Sequence, residues 1–152
     1  MKILLIAAPR PDSDGTAMHM GDGRPPMGLA YISAYVEDFG HETKIVDLKK
    51  IVDSFVDERD WKQFHSPKNL AMALSVEVSE LMELFQWLDL DEAKEAMKAG
   101  EVREDALDEV ADILIYLLAF CNSNNIDISE ALMKKMKKNN EKYPADKFKG
   151  HF

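Results

Sequence analysis

Ser75-Val76-Glu77-Val78-Ser79-Glu80-Leu81-Met82-Glu83-Leu84-Phe85-Gln86-Trp87 reads as a helix whose apolar stripe is interrupted by acids. Leu74, Val78, Leu81 and Phe85 recur at helical spacing, which predicts one buried face. Glu77 and Glu80 stand three apart, so both carboxylates lie on the same side of the helix. Half-burying two like charges costs free energy unless something positive sits between them. Asp108-Glu109-Val110-Ala111-Asp112-Ile113-Leu114-Ile115-Tyr116-Leu117-Leu118 repeats the pattern, with Glu109 and Asp112 at the mouth of a very apolar run. Two helices, each with paired acids on an apolar background, point to one shared divalent cation.

The bulk properties narrow the classes. A chain of 152 residues holds one domain, or one domain with an appendage. Apolar residues make up 46%, too many for disorder. A net charge of −9 argues against a nucleic-acid polymer or an anionic membrane as partner, because both need a basic face. The lone cysteine, Cys121, excludes an intrachain disulfide and a Cys-rich metal site, and a reducing cytoplasm is the expected setting. The apolar runs from Ile3 to Ala8 and from Ile113 to Cys121 are both too short to span a membrane.

Residues 1–47 differ in texture from the rest. Lys2 to Ala7 suits a buried strand, and Pro9 to Pro26 reads as a long loop. Pro26 opens a helix with Leu29, Ile32, Tyr35 and Val36 on one face, and Gly40 stops it. Thr43 to Val46 reads as a second strand. The expectation is a βαβ-like appendage, whose open edges leave it unstable alone. The loop lacks both the G-x-G-x-x-G and the G-x-x-x-x-G-K-[ST] phosphate-binding patterns. Pro25 to Ile32, with Gly40-His41-Glu42 and Ile45-Val46-Asp47-Leu48, resembles the opening of the cobalamin-binding domains that precede radical SAM enzymes. The D-x-H-x-x-G ligand signature of those domains is absent, so cobalamin is not expected.

From residue 48 to 152 the chain reads as a four- or five-helix bundle, making the fold class mainly α. Asp47 caps a first helix with Ile51, Val52, Phe55 and Val56 on its inner face. Ser66-Pro67 starts a second helix running to about Trp87. Asp89-Leu90-Asp91 caps a short third, ended by Gly100. A fourth begins near Val102 to Glu104 and runs through Phe120, with a turn expected over Asn122 to Asn125. Asp127 and Glu130 form a candidate capping box for a Lys-rich fifth helix that Pro144 closes. Short connections predict antiparallel neighbours.

With 28 acids, chance pairs on solvated faces are common, and one E-x-x-E alone is weak. Placement strengthens the reading: Glu77 shares a face with Leu74, Leu81 and Leu84, and Asp112 shares one with Ile115 and Tyr116. Four carboxylates with no cluster of His or Cys suit a hard cation, Mg²⁺ or Mn²⁺. A di-iron bundle would need Glu-x-x-His, which is missing. Trp61, Trp87 and Tyr116 are either core or a stacking surface for a flat ligand. His65 is either a surface residue or a donor to a base or phosphate. Lys135 and Asn139, one turn apart, lie on a solvated helix or reach a phosphate.

Glu58-Arg59-Asp60-Trp61-Lys62-Gln63-Phe64-His65, Pro67-Lys68-Asn69-Leu70, Glu77-x-x-Glu80, Phe85-Gln86-Trp87, Glu109-x-x-Asp112, Ile115-Tyr116-Leu117 and Lys142-Tyr143-Pro144 stand in order. Together they resemble the MazG-like all-α nucleotide pyrophosphohydrolases, in particular the branch similar to dCTP pyrophosphatases, from about Leu48 onward. The resemblance implies Mg²⁺-dependent cleavage of nucleoside triphosphates between the α- and β-phosphates. It implies Glu77, Glu80, Glu109 and Asp112 as metal ligands and catalytic acids. It further implies Trp61, His65, Trp87 and Tyr116 around the nucleoside, Lys135 and Asn139 on phosphates, and a homodimer or homotetramer with sites near subunit contacts. The proton acceptor for the attacking water is one of the four acids, Glu83 or Asp108. The alternatives are a related enzyme acting on dUTP or another nucleotide, and a non-catalytic helical oligomerisation module. The family's usual helical lead is replaced here by residues 1–47.

Overall fold

A computed structural model describes residues 2–6, 34–35, 37–40, 42–100 and 102–150. These residues are mainly helical. They fall into two compact units, Met1–Leu48 with Ile126–Phe152, and Lys49–Asn125.

In the first unit, β1 (Lys2–Ile6) and β2 (Glu42–Val46) pair in parallel, with Lys2 opposite Glu42 and Ile6 opposite Val46. Both match the strand-like runs in the sequence. Before β2, Gly40 takes φ 78° and its N–H donates to the Glu37 carbonyl at 2.9 Å, as expected of a helix-stopping glycine. The Pro9–Pro26 loop, the helix start at Pro26 and its Leu29, Ile32 and Val36 face lie outside the described residues. The unit also contains α5 (Ile128–Lys142) and α6 (Ala145–Phe148). Asp127 caps α5 by accepting from the Glu130 N–H at 3.0 Å. The short α6, not expected from the sequence, follows Pro144. It is held by the Phe148 ring standing edge-on to Tyr143 at 5.3 Å.

In the second unit, α1 (Leu48–Asp57) buries Val52 and Val56 but leaves Ile51 and Phe55 exposed, so its inner face is narrower than the apolar pattern suggests. A 3-10 turn follows at Trp61–Phe64. Helix α2 (Pro67–Glu83) starts where Ser66 Oγ accepts from the Asn69 N–H, with Pro67 in the first turn. It ends four residues before Trp87, and Leu84–Trp87 form turns instead. Helix α3 (Leu90–Ala99) has a full capping box between Asp89 and Glu92, and Gly100 closes it at φ 91°. Helix α4 (Arg103–Ser123) runs three residues past Phe120. Asn122 and Ser123 are therefore helical, and only Asn124 and Asn125 turn; the Asn124 side chain caps back onto the Phe120 carbonyl at 2.8 Å.

The main packing is α2 against α4, with α3 laid more lightly on α4. On α2 the inner stripe is Leu70, Ala73, Leu74, Glu77 and Leu81, continued by Leu84 just past the helix end, with Leu70 only 2% exposed. This shifts the stripe from the sequence reading. Val78 lies outside at 48% exposure, and Glu77 takes the inward position. On α4 the inward residues include Ala106, Glu109, Ile113, Tyr116 and Leu117. Among the described residues, no helix is long and apolar enough to cross a membrane.

Candidate metal and nucleotide site

The α2–α4 interface places carboxylates where an ordinary helix pair places leucines. Glu77 and Glu109 are half-buried on the facing stripes, and Asp112 sits one turn beyond Glu109 at the exposed rim. One carboxylate oxygen from each of Glu77, Glu109 and Asp112 lies within 4.8 Å of the others. Glu109 Oε2 is shielded from solvent and accepts no hydrogen bond among the described residues. A buried carboxylate oxygen without a donor is unfavourable in the protein alone.

The electrostatics agree. Desolvation pushes the Glu77 carboxyl above its ordinary value, and the nearby charges of Glu80, Asp112 and Glu109 push it further. Desolvation also raises Glu109, followed by Glu80, Asp112, Asp108 and Asp105. Glu80 thus acts on both inner glutamates, although it is exposed and stands outside the close trio. Glu83, on the same helix, is exposed. The donor set is all oxygen, converging and unneutralised, with one orphaned oxygen aimed inward. These properties fit a hard divalent cation.

Farther along α4 lies a cavity of about 430 Å³. Its apolar lining is Val52, Val56 and Ala119, and its polar lining is Asp53, Lys62, His65, Asn122 and Ser123. His65 therefore opens onto a recess and is not simply a surface residue. Asp53, Lys62, Asn122 and Ser123 were not evident as site residues. Asn122 and Ser123 read as turn, and Asp53 as one acid among many; the only available signal was the Asp53, Asp57 and Lys62 charge pattern. Lys62 Nζ bridges back to α1, at 2.7 Å from Asp57 Oδ1 and 3.3 Å from Asp53 Oδ1. The Asp57 hydrogen bond is the main cause of its raised pKa.

The aromatic candidates are dispersed. Trp61 stands edge-on to Phe55 at 5.8 Å, with Arg59 over the other ring at 3.7 Å from the Phe55 centroid. Trp87 is 87% exposed in the turn after α2. Tyr116 is half-buried one turn along α4 from Asp112. Lys135, exposed, and Asn139, half-buried, stand one turn apart on α5 in the other unit. Cys121 is buried, and desolvation raises its thiol, which does not suit a nucleophile.

Comparison with known proteins adds a family. The model of the MazG-like family matches residues 72–151. dCTP pyrophosphatase 1 of Rattus norvegicus is 39% identical over 114 residues, covering 74% of this chain and 66% of that protein. The Homo sapiens protein of the same name is 39% identical over 107 residues, covering 70% of this chain and 63% of its own length. The chain thus spans slightly less than two thirds of these relatives. The crystal structure of a pyrophosphatase from Archaeoglobus fulgidus superimposes with a TM-score of 0.60 at 44% identity, covering 62% of this chain and 87% of the other. The family match over residues 72–151, which takes in the acids of both helices of this chain, leads to one assignment: the chain belongs to the MazG-like family.

Proposed function

We propose that the chain is a divalent-cation-dependent nucleoside triphosphate pyrophosphohydrolase. It would release pyrophosphate and a monophosphate, with dCTP or a close relative as substrate. The observation that carries this reading is the trio of Glu77, Glu109 and Asp112 with the orphaned Glu109 oxygen. The names of the relatives at 39% identity and of the 44% identical solved structure support the reaction and the cytosine nucleotide.

Glu77, Glu109 and Asp112 would hold the cation, Mg²⁺ or Mn²⁺, with Glu80 beside them. When bound, the ion neutralises phosphate charge and stabilises the leaving pyrophosphate. The chain's own residues supply the rest. The acids not spent on the ion would offer an oxygen for the proton of the attacking water, and Glu80, whose charge acts on both inner glutamates, is the one assigned to that task in this reading. Tyr116 continues the α4 face toward the cavity that His65 lines, and this recess suits the nucleoside. Trp61 and Trp87 supply ring surfaces for stacking. Lys135 and Asn139 are assigned to phosphates by the family pattern.

The partner is a second copy of the chain, as a homodimer or homotetramer. Leu107, Val110 and Leu114 form an exposed stripe on α4 away from Glu109, and Met72, Val76 and Met82 are exposed on α2. A helix apolar on both sides needs a second packing partner. Residues 48–152 are proposed as the catalytic domain and residues 1–47 as a βαβ-like appendage that packs or makes an oligomer contact. The expected compartment is the cytoplasm.

The test is incubation with a panel of deoxynucleoside triphosphates and Mg²⁺, with pyrophosphate as readout. Turnover that disappears in Glu77→Ala/Asp112→Ala supports the reading. No turnover of any nucleotide, or turnover unaffected by that double substitution, refutes it.

A further inference from the structure

We infer that Asp53 determines base specificity, by accepting a hydrogen bond from the exocyclic amine of a cytosine-type base in the His65 cavity. The inference rests on the nucleotide reading above and extends it to residues that no comparison assigns. The cavity begins two turns along α4 from Asp112, roughly 10 Å at 1.5 Å per residue. A nucleotide whose phosphates meet the acids can reach it with its base.

The polar lining of that cavity is ordered. Asn122 Nδ2 donates to the Lys49 carbonyl at 2.9 Å, which fixes the amide and makes Oδ1 its remaining acceptor. Asp53 is ionically held through Oδ1 by Lys62 at 3.3 Å, which steadies the carboxylate without removing its acceptor character. Lys62 is itself anchored more tightly on Asp57 at 2.7 Å. The recess therefore offers fixed acceptors at Asp53 and Asn122, with donors at Lys62 and His65 beside them.

This pattern complements cytosine, which presents an amine donor next to ring-nitrogen and carbonyl acceptors. Uracil presents a carbonyl oxygen where cytosine has its amine, and that oxygen would face the Asp53 carboxylate. A carboxylate that accepts from the cytosine amine would instead meet the uracil oxygen with two acceptors opposed, a mismatch moderated by the Lys62 pairing and the 45% exposure of the Asp53 side chain.

Two readouts test this in the full-length protein. One is kcat/KM for dCTP and dUTP with Mg²⁺. The other is calorimetric binding of dCMP and dUMP, which requires no turnover. The unaltered protein is expected to favour the cytosine nucleotide about tenfold or more in both. Asp53→Asn, whose amide can donate to the uracil oxygen, should lower that ratio about tenfold while retaining the Mg²⁺ dependence. Asp53→Ser, which also removes the charge and leaves a shorter hydroxyl able to donate or accept, should lower it in the same direction. An unchanged ratio in folded Asp53→Asn or Asp53→Ser, or an unaltered protein indifferent to the two bases, overturns the inference. Asp53-dependent preference for dCMP in a protein that hydrolyses no nucleotide would sustain the inference and refute the reaction.

Discussion

Glu77 on α2 and Glu109 on α4 face each other with carboxylate oxygens within 4.8 Å, inside a helix interface that is otherwise apolar. Desolvation, Glu80 and Asp112 raise the proton affinity of both, and Glu109 adds to that of Glu77, so the pair either takes up a proton or draws in a cation. Which of these wins sets both stability and activity.

Glu109→Gln is expected to raise the melting temperature of the metal-free protein at neutral pH, because it removes a like charge from the trio. The same substitution should lower kcat/KM on the order of 100-fold, the scale seen when one fixed electrostatic contact is removed. Thermal scans with chelator, set beside pyrophosphate release, measure both. A variant less stable than the unaltered protein without metal would contradict the charge argument.

The pH dependence has a definite sign. Glu77 and Glu109 hold protons more tightly in the folded chain than in the unfolded one. Their contribution to metal-free stability is therefore full below the unfolded glutamate value, about 4.3. It is lost as pH rises through the folded values. A Glu77→Gln/Glu109→Gln protein should lack this component, so its stability relative to the unaltered chain should grow from acid to neutral pH. Stabilisation of the unaltered chain by Mg²⁺ should grow over the same range and vanish in acid, where protons displace the ion. Melting curves across pH, with and without Mg²⁺, provide the check.

Lys62→Met removes the bridge from the 3-10 turn to α1. Exposed pairs of this kind contribute less than about 1 kcal/mol, so the denaturation midpoint should barely move. The effect should fall on KM for the nucleotide, raised several-fold, and Lys62→Arg should recover most of it. Equal losses in KM and stability would assign Lys62 a purely structural role.

Leu70→Ala should cost about 2–5 kcal/mol in chemical denaturation, as a 2%-exposed side chain at the α2–α4 seam. Ser66→Ala should cost about 1 kcal/mol through loss of the α2 cap.

Leu107→Lys/Leu114→Lys places charge on the exposed α4 stripe away from the acids. Analytical ultracentrifugation should show the unaltered protein well above the 17.3 kDa of one chain, and the variant shifted toward it. An unaltered protein sedimenting as a monomer would exclude the proposed assembly.

The fold was legible in the sequence where short-range chemistry governs it. Ser66-Pro67, Asp89 and Gly100 start and stop helices through local bonds, and each stands where the residues placed it. The end of α2 was not legible. Phe85 and Trp87 continue the apolar pattern, but the backbone leaves the helix at Leu84 and turns. The end of α4 failed in the opposite direction, since Asn122 favours turns locally but is retained in the helix, with its side chain on the Lys49 carbonyl. The phase of α2 was ambiguous because Glu77 and Val78 are neighbours, and apolarity favours Val78 for the inside. The inward Glu77 meets Glu109 and Asp112 across the helix pair, a partnership set by tertiary packing that the sequence of α2 alone does not display. Spacing singled out four acids, of which Glu77, Glu109 and Asp112 converge while Glu80 stands outside the trio; the cavity was not legible, because its walls come from α1, the turn near His65 and the far end of α4.

The segment from Asp60 to Asn69 is stitched by its own side chains. Gln63 Nε2 donates to Asp60 O at 2.9 Å and to Asp60 Oδ2 at 3.0 Å, and Asn69 Nδ2 donates to Phe64 O at 2.9 Å. Asp60 itself sits at φ 53°, a left-handed position that aspartate tolerates better than most residues. Trp61 and His65 are therefore carried on a backbone whose ordering entropy is lost during folding. A ligand arriving beside them meets side chains already in place, so its affinity is not reduced by the cost of arranging the loop that receives it.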